Sequence, residues 1–215
     1  MGRDKKLTDQ EYKELFDKYK NDVLLENESA RQMINHRSHL FITDRGRVLS
    51  VGTKGIKIMK QSLRAQTYSN DSEGLNEKKH CICINISGKN RVYAVHRLVG
   101  EYFSDKITAF VTDNNKPTVI HHIKSYNPDS EDNNAVGNLL RINQNVHALL
   151  HRFAKLETLT EREECAKKLE LAINGRKCDI FLSLNGDMIG LIPINNGVET
   201  TTQSATEYLK QKGII

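Results

Sequence analysis

The chain has 215 residues, 38% hydrophobic and 27% charged, which is enough for one medium domain or two small ones with well-solvated surfaces. No run approaches the roughly 18 apolar residues of a spanning helix, and the opening MGRDKKLTDQEYK is too charged for a signal peptide, so no membrane role is expected. The net charge of +5 is concentrated: residues 36–103 alone carry +7, whereas 1–35 and 104–150 carry −1 each and 151–215 carry 0. Phosphate binding needs such a local basic face, which makes nucleic acid the partner to test.

In chain order, Thr8-Asp9-Gln10-Glu11 has the capping-box pattern, and Tyr12, Leu15, Phe16 and Tyr19 follow at helical spacing. A second helix is expected over Asn27 to Asn35, completing an N-terminal helical arm, 1–35. From Leu40 the texture changes to FITDRGRVLSV, a strand-turn-strand around Arg45-Gly46. Ile56 to Met59 and Cys81 to Ile86 alternate as strands do, Ser87 to Asn90 reads as a turn, and Arg91 to Val95 as its return strand. Residues 66–79 read as a polar loop and His96 to Phe103 as a short helix. Together these make 36–103 a basic, β-rich module. Cys81, Cys83, Cys165 and Cys178 lack zinc-knuckle spacing and read as small buried hydrophobes in a reducing, cytoplasmic compartment.

Thr118 to Lys124 reads as a strand ending in two histidines, 125–137 as a polar loop, and Asn143 to Phe153 as a helix. Thr160-Glu161-Arg162-Glu163 looks like another capping box, with Gly175 as the stop of that helix. Residues 178–193 hold two short strands around Asn185-Gly186, and a last helix is expected near Gln203–Lys212.

Half of the eight histidines fall in residues 121–151. His147 and His151 are one helical turn apart and project from one face, where two imidazoles can hold a metal ion. His121 and His122, adjacent on a strand, point to opposite faces. One can face the helix as a third ligand, and the other can stand near the ion as a base with a pKa suited to neutral pH. Arg45 and Arg47 flank a turn in the basic segment, where either can meet phosphate. Lys54, Lys57, Lys60 and Arg64 form a basic run that lines a DNA groove or is simply a solvated face.

The ordered set His121-His122, Asn138-Leu139 nine residues before His147, and His151 four later resembles the HNH nucleases, the ββα-metal endonucleases. The His-His form is most similar to the nuclease domains of bacterial DNase toxins. Upstream, FITDRGRVLSV and VHRLVGEYF resemble the module that precedes the nuclease in phage intron-encoded HNH homing endonucleases. The sequence departs from that pattern at Lys124, where an Asp is frequent, and in the long acidic loop 125–137.

The resemblance implies an α+β protein with a ββα-metal nuclease core over 104–155. Ahead of it would lie a small antiparallel β-sheet and N-terminal helices, and after it a C-terminal α/β accessory element over 156–215. It implies a DNA endonuclease of the phage or mobile-element homing type, acting inside the cell. His122 would be the general base and Asn138 a positioning residue. His121, His147 and His151 would hold one divalent ion. Mg or Mn is implied by the family, while three imidazoles suit Zn, Ni or Co. Arg45, Arg47, Lys54, Lys57, Lys60 and Arg64 would contact DNA. A homodimer would cut both strands and a monomer would nick. The rival readings are a restriction or toxin nuclease and a DNA-binding protein with an inactive site.

Overall fold

The structure, a computed structural model, describes residues 7–65, 78–110, 117–124, 127, 129–173, 178–182 and 189–193. The fold is α+β. The chain forms two compact units: residues 1–103 with 128–136, and residues 104–127 with 137–215.

The first unit begins with helix α1 (Asp9–Tyr19), whose Thr8 cap is reciprocal: the Thr8 hydroxyl accepts from the Glu11 amide and the Glu11 carboxylate accepts from the Thr8 amide. Its buried Phe16 stacks on Phe41, ring centroids 4.1 Å apart, over Leu49 and Val51. These residues lie on the first sheet, β1 (Ala30–Gln32), β2 (Leu40–Thr43), β3 (Val48–Gly52) and β4 (Gly55–Ile58), in that order and antiparallel throughout. A second antiparallel sheet joins β5 (Ser62–Ala65), β6 (Lys78–Ile86) and β7 (Lys89–Ala94). Helix α2 (Val95–Tyr102) follows, burying Val95, His96, Leu98 and Val99.

Two expectations fail here. The helix expected over Asn27 to Asn35 is replaced by β1. Asn27 has φ +59°, which ends any helix, and the Asp44 carboxylate accepts from both the amide and the hydroxyl of Ser29, at 3.1 and 2.6 Å. That anchor delivers Ala30 to the edge of β2, where pairing overrides a weak helical propensity. The loop expected over 66–79 is shorter at its end, because Lys78 already belongs to β6. Residues 66–77 lie outside the described set.

In the second unit, β8 (Thr108–Phe110) runs parallel to β10 (Leu139–Asn143), and β9 (Thr118–His122) runs antiparallel to β10, so β10 is central. Helix α3 (Gln144–Lys155) and helix α4 (Leu159–Ala172) follow. Val146 and Leu150 of α3 and Leu169 of α4 join Phe110, Ile123, Leu140 and Ile142 in one core. The cap of α4 is Thr158 with Glu161, two residues ahead of the expected Thr160, because Thr158 takes the extended N-cap backbone and bonds the Glu161 amide. β11 (Cys178–Leu182) and β12 (Ile189–Pro193) form the expected hairpin. Its turn, the Gly175 stop and the helix near 203–212 lie outside the described residues.

Cys81 and Cys165 are buried, as expected, and burial pushes the Cys81 thiol up, away from thiolate chemistry. Cys83, two residues further along β6, is exposed instead.

Residues 129–136 carry the acidic stretch on the surface but bury Asn133 and Asn134 in the first unit. Val136 donates to the Asp44 carbonyl at 2.8 Å. The Asn134 side chain fills the space where a Cβ on Gly46 would stand, 2.6 Å away, and Gly46 has φ +81°. Gly46→Ala is therefore expected to lower stability by at least about 2 kcal/mol, read as a lower urea midpoint. Gly46→Asn, which tolerates the dihedral but keeps the clash, should not recover it.

Candidate functional site

The strand–strand–helix unit β9–β10–α3 assembles the histidines. His121 pairs with Leu140 across the sheet and His122 with Leu139. Side chains alternate along β9, so His121 shares its face with Leu140 and Ile142, toward α3, and His122 takes the other face. His121 is 2% exposed. Its ring lies 5.3 Å from that of His147 and 5.2 Å from that of His151, centroid to centroid.

The helical i, i+4 spacing does the rest. His147 and His151 have ring centroids 4.5 Å apart and Nε2 atoms 3.1 Å apart. One ring nitrogen from each of the three histidines lies within 4.8 Å of the others. Two neutral lone pairs at 3.1 Å repel, so one ring must donate to the other unless a shared cation sits between them. Three neutral imidazoles converging from a strand and a helix, with His121 buried and His151 at the surface, fit a borderline divalent ion with open positions. Among the described residues no other group of three His, Cys, Asp or Glu converges in this way.

Asn138 is 7% exposed, in the 3₁₀ turn that leads into β10. Its side-chain oxygen accepts from the Lys124 amide at 2.8 Å and its carbonyl from the Ile123 amide at 2.9 Å. Both bonds hold the backbone immediately after His122. At the other end, the Gln144 amide donates to the Pro117 carbonyl at 3.0 Å, tying the start of α3 to the start of β9.

The expected basic residues lie in the first unit. Lys54, Lys57, Lys60 and Arg64 are exposed, and among the described residues no carboxylate pairs with any of them. Arg45 is half-buried, with a 3.4 Å hydrogen bond to the Glu26 carbonyl. Arg47 has a structural engagement the sequence did not reveal. It forms a two-pronged ion pair with the buried Glu28, Nε to Oε1 at 2.9 Å, and donates to the Val23 carbonyl at 2.8 Å.

Burial works against ionised Glu28, yet hydrogen bonds from Arg47, the Leu25 amide and Thr43, with the Arg47 charge, hold its carboxyl below the ordinary 4.5. A depressed folded value means stabilisation that is complete above the unfolded pKa and lost as pH falls through the folded one. Glu28→Gln should lower the melting temperature at pH 7, and the gap from wild type should narrow as pH drops below about 4.5. A pH-independent gap would place the effect in packing alone.

The sequence matches no family model and no curated protein. The chain is similar to one solved structure, described as DNA binding and cleavage by the HNH homing endonuclease I-HmuI, at 21% identity over 86% of each chain and a TM-score of 0.38. Among the described residues, no helix is long and apolar enough to cross a membrane.

Proposed function

We propose that this protein is a metal-dependent DNA endonuclease of the phage or mobile-element homing type, with its chemistry in the second unit. The observation that carries the reading is the His121–His147–His151 convergence beside His122, the next residue of the same strand, on the opposite face. His121, His147 and His151 would hold one divalent ion, which when bound supplies Lewis-acid stabilisation of charge on the phosphoryl oxygens.

His122 acts as general base. A ring nitrogen of His122 takes a proton from a water whose oxygen attacks phosphorus in line, the P–O3′ bond breaks, and the 3′ oxygen is protonated from solvent. Asn138 acts through position: its two bonds to the backbone at Ile123 and Lys124 fix the end of β9 and so the base. Lys54, Lys57, Lys60, Arg64 and Arg45 are the proposed phosphate contacts of the first unit. Arg47 is left out of that face because Glu28 and Val23 already occupy its guanidinium.

The test is incubation of supercoiled plasmid with the protein in Mg²⁺, Mn²⁺, Ni²⁺ or EDTA. Conversion in at least one metal and none in EDTA supports the reading, with open circle marking a nick and linear a paired cut. Tight DNA binding with no cleavage in any metal would overturn it in favour of a binding protein.

A further inference from the structure

His122 is not the sole polar group on its face of the sheet. Paired residues of antiparallel strands share a face, and the register sets Leu139 against His122, Arg141 against Ile120 and Asn143 against Thr118. Arg141 is therefore the diagonal neighbour of His122, a separation of about 7–8 Å that a guanidinium stem can bridge. On the far side of β10, Arg141 pairs with Ala109, an exposed residue whose side chain is a single methyl.

Among the described residues, no carboxylate stands at the strand positions around Arg141. Thr118, Ile120, His122, Leu139, Asn143 and Ala109 surround it on this face, and none is acidic. Arg141 is half-buried, yet among the described residues its side chain makes no hydrogen bond and no ion pair. A guanidinium has five donors and cannot shed its charge, so a half-buried one without a carboxylate is a position prepared for an anion. The exposed Lys124, two residues after His122, adds a second cation at the same end of β9. It stands where the resembling nucleases often have an acid, so the departure changes the local sign from negative to positive.

We propose that Arg141 is a substrate-binding residue, whose guanidinium grips the non-bridging oxygens of a backbone phosphate on the strand that His122 attacks. This rests on the endonuclease reading above and deepens it. It sets the course of the cut strand next to the reacting phosphate, on the side of the sheet that carries His122. Because the contact is made to a phosphate in both bound and reacting states, it acts on binding more than on the chemical step.

The experiment is DNA affinity of the full chain in EDTA, measured across a salt series, for wild type, Arg141→Gln, Arg141→Met and Arg141→Lys. Losing one phosphate contact should weaken binding about tenfold or more and flatten the log–log salt slope by about 0.9, while Arg141→Lys keeps most of the slope. Ni²⁺ affinity of the same variants should be unchanged, because the ligand histidines lie on the other face. Wild type that cleaves while Arg141→Gln keeps both slope and affinity would overturn the proposal alone. Wild type that shows the Arg141-dependent slope but cleaves in no metal would overturn the endonuclease reading alone. Wild type that binds no DNA overturns both. Loss of the native thermal transition in both Arg141→Gln and Arg141→Met would assign the residue to the fold and also overturn the proposal.

Discussion

His122→Ala should lower metal-dependent plasmid cleavage by about 10² to 10⁴-fold, the range for losing a positioned proton acceptor. The fold should survive, since the side chain is partly exposed and its strand is held by the β10 register and by the two Asn138 bonds. Ni²⁺ or Zn²⁺ titration of the variant should give wild-type affinity, because alternation along β9 turns His122 away from the face that carries His121. This pairing of results separates a base from a ligand. A variant that loses cleavage and metal binding together would make His122 a ligand and leave the base unassigned. A variant that cleaves at the wild-type rate would remove it from the chemistry.

His147→Ala should weaken metal binding by at least about 100-fold, beyond what the loss of an outer hydrogen-bond partner does, and bring cleavage down to the level seen in EDTA. Alanine is the best helix former, so α3 should keep its structure, and Val146 and Leu150 still anchor it in the core. His151→Ala should do less, because its ring is exposed and His121 with His147 still offers two nitrogens from two elements. Calorimetric titration of both variants measures the order. If His147→Ala bound metal as wild type does, the three-histidine cluster would not be the metal centre.

Much of the site was legible in order along the chain because it rests on local periodicities. The i, i+4 pair needs only a helix to put His147 beside His151, and the adjacent pair needs only a strand to send His121 and His122 to opposite faces. The α1 cap, the β2–β3 turn at Gly46 and the β6–β7 hairpin were readable for the same reason: a capping hydroxyl, a glycine at positive φ and alternating apolar residues act within a few positions. Failures came where a distant partner outweighed a local preference. Asp44 captures Ser29 across fifteen residues and turns an expected helix into β1. The Glu28–Arg47 ion pair, across nineteen residues, is a long-range partner that no local pattern announces.

The amino-acid order alone determined the residue types of the candidate site and their spacing, because an imidazole's chemistry and the pitch of a helix are intrinsic to the chain. Only the tertiary structure decided that His121, rather than His122, faces α3. Pairing register is a choice between faces that one residue of slippage would reverse. The same register placed Arg141 beside His122, nineteen positions away in the chain, and the same packing seated Asn134 against Gly46. The His122 neighbourhood is set by how the apolar faces of β10, α3 and α4 bury one another, a property of the core that no short window of sequence contains.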